Sequence, residues 1–105
     1  MNVTVQYFDG CPNWQRTAEL VRQALRAAGE PESALTLQAV QTAEDADRVG
    51  FRGSPTVLVE GTDPFAEPTA PVGLSCRVFP TPDGLDGAPT LEQLTAALRA
   101  GQRQT

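Results

Sequence analysis

The unit Phe8-Asp9-Gly10-Cys11-Pro12-Asn13-Trp14 sets one thiol where an alternating apolar segment gives way to a helical period. A helix N-terminus offers unsatisfied N–H donors and about half a positive charge, which favour thiolate over thiol. A cysteine so placed titrates below the ~8.5 of a free thiol and is a better nucleophile at neutral pH. Cysteine is as often a small buried apolar residue, and this unit alone does not choose between the two roles. Asp9 is expected on the surface, where its charge would oppose a thiolate. The second thiol is Cys76, in Gly73-Leu74-Ser75-Cys76-Arg77. It has the chemistry to resolve a mixed disulfide or to join Cys11 around a soft metal. As a strand residue it is more simply a buried position, which is the expectation. Arg52 and Arg77 could meet an anionic thiol, but solvated arginines are the expectation.

Absent residues narrow the chemistry further. The 105 residues contain no histidine, which excludes Ser–His and Cys–His nucleophile pairs, histidine-ligated zinc and histidine proton shuttles. Two cysteines do not make a Cys₄ zinc site, and no metal or cofactor is expected. The formal net charge of −5, with no basic cluster, speaks against nucleic acid and against a polybasic membrane patch. No apolar run approaches the ~20 residues of a membrane span, and the N-terminus lacks the basic and apolar regions of a signal peptide. A cytoplasmic location with reduced thiols is expected.

The elements that must position these residues follow from periodicity. Val3, Val5 and Tyr7 alternate with polar residues, so residues 2–8 read as a strand. Trp14, Ala18, Val21, Leu25 and Ala28 fall at helical spacing, with Pro12 at the start and Gly29-Glu30-Pro31 at the stop, giving a helix over 12–28. Trp14 is expected in that helix's packed stripe. Leu35 to Val40 gives a second strand, and Thr42 caps a short helix ending near Gly50. Thr56 to Val59 follows as a third strand. Residues 61–75 are punctuated by Pro64, Pro68, Pro71, Gly61 and Gly73 and show no period, the mark of a functional or mobile loop, with Phe65 expected to anchor it. Cys76 to Phe79 reads as a fourth strand, turned by Pro82-Asp83-Gly84. Thr90 and Gln93 form a capping box before a last helix, which Gly101 ends, leaving a polar tail at 102–105. The chain is thus one α/β domain over 1–101, ordered β-α-β-α-β-β-α with a mixed four-stranded sheet.

Ser54-Pro55-Thr56 before a strand, with Cys11 at a strand-to-helix junction, resembles the thioredoxin-like superfamily, and the order of elements matches over essentially the whole chain. The resemblance implies a three-layer thioredoxin-like fold, with Cys11 in the place of the nucleophilic cysteine and Pro55 in that of the cis-proline. Pro12, Ser54, Pro55 and Thr56 would then line the substrate site, the backbone of 54 and 56 holding a substrate chain by strand-like pairing. Trp14 stands where the family's second cysteine belongs, and Val5 about where thioredoxins keep an aspartate. The implied activity is therefore thiol–disulfide exchange through Cys11 alone, forming mixed disulfides with a disulfide-bearing protein or a low-molecular-weight thiol. A non-catalytic binding module that keeps the groove is the second reading. Small proteins of similar look are labelled alkylmercury lyases, so two-thiol chemistry on a soft metal or organomercurial, through Cys11, Cys76 and Asp9, is a third. Pairing of 56–60 with 76–79 as a hairpin would set Cys76 on the order of 15 Å from Cys11. A disulfide tolerates about 7 Å between Cα atoms, so no bond between them is expected.

Overall fold

The computed structural model describes residues 1–67 and 70–103. Strand β1 (Val3–Tyr7) is central in a three-stranded sheet of order β2-β1-β3, parallel to β2 (Leu35–Ala39) and antiparallel to β3 (Thr56–Val59). Helix α1 (Trp14–Ala27), a 3-10 turn at Glu32–Ala34 and helix α2 (Ala43–Val49) form the connections. Strands β4 (Phe79–Thr81) and β5 (Gly84–Asp86) make a separate two-stranded sheet, and helix α3 (Leu91–Arg103) closes the chain. The mixed α/β class and the parallel first crossover agree with the sequence reading. Among the described residues, no helix is long and apolar enough to cross a membrane.

Alternation in β1 and β3 puts Val3 opposite Val59 and Val5 opposite Val57 on one face of the sheet. Helices α1 and α3 cover that face with Val21, Ala24, Leu25, Leu94 and Leu98, all buried. Each fully buried Val or Leu side chain contributes roughly 1.5–3 kcal/mol, so this layer holds the fold. The helix ends follow their signals. Gly29 (φ 78°) stops α1 with paired bonds, Gly29 N–H to Arg26 C=O (3.1 Å) and Glu30 N–H to Leu25 C=O (2.8 Å). The Thr42 hydroxyl accepts from Asp45 N–H (3.0 Å), and Thr90 and Gln93 exchange reciprocal bonds of 2.9 and 3.1 Å.

Three expectations are corrected. The four-stranded sheet with 76–79 against β3 does not form. After β3, Glu60 (φ 52°) and Gly61 (φ 80°) fold the chain back at once, and Val59 exchanges both backbone bonds with Thr62 (2.8 and 3.0 Å). The outer edge of β3 is thereby consumed at its tip. The fourth strand instead begins at Phe79 and pairs with β5 across Pro82-Asp83, which adds an element to the expected order. Helix α1 starts at Trp14 and not Pro12, because Cys11 N–H turns back to Phe8 C=O (3.2 Å) before the helix opens. Finally, Gly101 does not end α3. A Cβ there would lie 2.8 Å from Val59 Cγ1, so this glycine permits close approach of helix to strand. Of the expected tail, Gln102 and Arg103 are helical, and Gln104 and Thr105 lie outside the described residues.

Candidate functional site

The segment before β3 and the segment before β4 meet beside Cys11. Phe51 C=O accepts from Gly73 N–H (3.0 Å), Ser54 N–H donates to Ser75 C=O (2.7 Å), and Arg77 N–H donates to Ser54 C=O (2.9 Å). Ser54 and Cys76 thus form a parallel bridge. Gly53 makes it possible: its φ is 126°, and a Cβ would sit 3.0 Å from Arg77 Cβ and 3.4 Å from Ser75 O. The Ser54–Pro55 peptide is cis, as the resemblance implies.

This pairing carries Cys76 to Cys11, against the expected separation. The two cysteines are thiols, with Cys11 buried and Cys76 exposed. A hydrogen bond with Cys11 is the largest cause holding the Cys76 pKa above its ordinary value, with desolvation and the Cys11 charge adding to it. Cys11 in turn donates its S–H to Ser54 C=O (3.3 Å). A carbonyl only accepts, so that bond exists only while Cys11 keeps its proton. The arrangement sets an exposed thiol near a buried one that donates to a backbone carbonyl. Cys11 lies ahead of the first turn of α1, and its thiol is bonded to this carbonyl.

The remaining expected site residues are placed as follows. Pro12 is exposed, and Pro55 is fully buried. The buried Ser54 hydroxyl accepts from Phe8 N–H (3.3 Å), and Thr56 donates its hydroxyl to Gly53 C=O (2.6 Å). Both side chains and the Ser54 backbone are committed within the chain. Asp9 is exposed, as expected. Trp14 is half-buried and stacks on Tyr7 (3.9 Å between centroids, 18° between planes), leaving the packed stripe to begin at Ala18.

Arg77 has a role that the sequence reading missed. It is only 8% exposed and is the hub of residues 63–79. Its guanidinium meets Asp63 (2.7 Å), donates to Phe65 C=O and Thr56 Oγ1, and lies 4.7 Å over the Phe79 ring. Phe65 meets Phe79 edge-on at 5.7 Å and packs against the main core, so it does anchor the loop. Asp63 and Arg77 fourteen positions apart, flanking a Pro/Gly-rich stretch with an aromatic between them, were the available signal. Behind Cys76, on the sheet face away from α1 and α3, lies a cleft of about 580 Å³ whose lining includes Gln6, Thr56, Leu58, Ala66, Cys76 and Val78. Compared with family models, with curated proteins and with solved structures, the chain finds no match in any of the three.

Proposed function

We propose that this chain is a thiol–disulfide oxidoreductase of thioredoxin-like kind that works with two thiols, Cys76 outward and Cys11 behind it. Ser54, bridged to Cys76 and accepting from the Cys11 thiol (3.3 Å), brings the two cysteines together, and that juxtaposition carries the reading. Exposure assigns the roles: the Cys76 thiolate attacks one sulfur of an incoming disulfide and releases the other half as a thiolate. Cys11 then attacks the Cys76 sulfur. Its proton goes to the departing thiol, and a Cys11–Cys76 disulfide remains while the substrate is reduced to two thiols. An outside thiol reverses the sequence. Cys11 thus takes the resolving role, and the thiol that meets substrate comes from the loop. A non-reducing mass spectrum after equilibration with glutathione redox buffers tests this: a stoichiometric Cys11–Cys76 bond is expected. Thiols that stay separate at every buffer ratio would favour the binding module.

The same juxtaposition supports a second reading. Two thiolates side by side are a donor pair for a two-coordinate soft cation, so soft-metal or organomercurial chemistry remains the alternative. Retention of one mercury or cuprous ion per chain against competing free thiol, lost in either Cys→Ser variant, would favour it.

A further inference from the structure

Resting on the two-thiol reading above, the geometry points to a low-molecular-weight disulfide without net charge, seated in the cleft behind Cys76, as the substrate class, in preference to a protein disulfide. A peptide held by strand addition needs an unpaired backbone donor and acceptor at the receiving edge. At Ser54 both are taken, by Ser75 C=O and Arg77 N–H, and Pro55 beneath them is fully buried. The place beside Cys11 where a substrate strand would lie is filled by this chain's own residues 75–77.

The cleft offers what that edge does not. Its volume of about 580 Å³ falls within the roughly 300–1,000 Å³ of small-molecule sites. Gln6, Thr56 and Leu58 line it from the sheet, and Cys76 is part of its wall. Charge narrows the ligand further. Arg52 and Arg77 line the cleft together with Asp63 and Glu67, so the formal charges cancel, and the Arg77 guanidinium is engaged by Asp63 and the Phe65 carbonyl. The chain as a whole carries −5. Such a field gives an anionic disulfide no gain over a neutral or zwitterionic one. The reaction balances as before: one disulfide and two protein thiols give two small thiols and the Cys11–Cys76 bond.

Fully reduced protein is mixed separately with bis(2-hydroxyethyl) disulfide, cystine, oxidised glutathione and disulfide-bonded insulin. The Cys11–Cys76 species is followed by acid quench and mass spectrometry, each rate divided by that of the same disulfide with free cysteine. The neutral and zwitterionic probes are expected to exceed insulin at least ten-fold and oxidised glutathione several-fold. Filling the cleft with Leu58→Trp, or with Ala66→Phe at an exposed position that does not threaten folding, is expected to slow the small probes at least three-fold. A normalised insulin rate equal to theirs, an oxidised-glutathione rate equal to theirs, or filled variants as fast as the parent would overturn the assignment. If no oxidant, hydrogen peroxide included, joins Cys11 to Cys76, the two-thiol reading falls and takes this one with it.

Discussion

The face between the sheet and its two long helices, and the segment from Asp63 to Phe79, are held by different physics. The first is an apolar layer in which Val3, Val5, Val57 and Val59 meet Val21, Leu25, Leu94 and Leu98. Its stabilisation is non-directional and grows with buried area. In the second, among the described residues, Phe65 meets Phe79 edge-on, and one buried guanidinium and three backbone bonds between Phe51–Ser54 and Gly73–Arg77 tie the segment down. Those bonds depend on geometry, so the exposed thiol of Cys76 sits on the part of the molecule that a single polar change can release.

Variants can break that contrast in order of expected effect. Leu25→Ala opens the apolar layer and should cost about 2–5 kcal/mol. Denaturant unfolding should then show sheet and loop lost together in one transition. Arg77→Met keeps the bulk and removes the hub. Breaking a buried ion pair costs roughly 3–5 kcal/mol, and the partial exposure of Asp63 lowers the expectation to about 2–3 kcal/mol. Hydrogen exchange should show the loss as local, with the Ser54 and Arg77 amides exchanging early while Val5 and Val57 stay protected; uniform loss would erase the distinction between the regions. Gly53→Ala forces a side chain into a left-handed conformation against Arg77, for about 1–3 kcal/mol. It should also weaken Cys11–Cys76 bond formation under oxidation. Cys11→Ala should be the mildest for stability and the most telling for chemistry. The Cys11 hydrogen bond is the largest cause raising the Cys76 pKa, so its removal lowers that pKa and enlarges the thiolate fraction at a given pH below it. Iodoacetamide should therefore label Cys76 several-fold faster in Cys11→Ala at pH 7.5, with the two rates converging at high pH. Equal rates throughout would show that the thiols do not interact.

The same contrast explains what was legible in the sequence. The strands and helices of the apolar layer announce themselves by period, and their ends by Thr42, Gly29, Thr90 and Gln93, because burial and capping are local to the chain. Cys11 and Pro55 were placed by motif at one end of the sheet, and the hydrogen bond from Cys11 to Ser54 C=O bears that out. Cys76 was named as a possible second thiol, but its nearness to Cys11 was not legible. Its position depends on a parallel bridge to Ser54, a positive φ at Gly53 and the contacts of Arg77, none of which leaves a period. Gly101 misled for a related reason: a glycine that stops a helix and one that admits a neighbouring strand look alike until the neighbour is known.

The bridge between Ser54 and Cys76 joins two parts of one chain, and mass action gives that fact a consequence. A segment covalently linked to its own site acts at an effective concentration on the order of millimolar. A free peptide at micromolar concentration would compete at a disadvantage on the order of a thousand-fold, before any difference in contacts is counted. Raising partner concentration is thus a poor way to reach that edge. Uncoupling the tether at Arg77 is the efficient one.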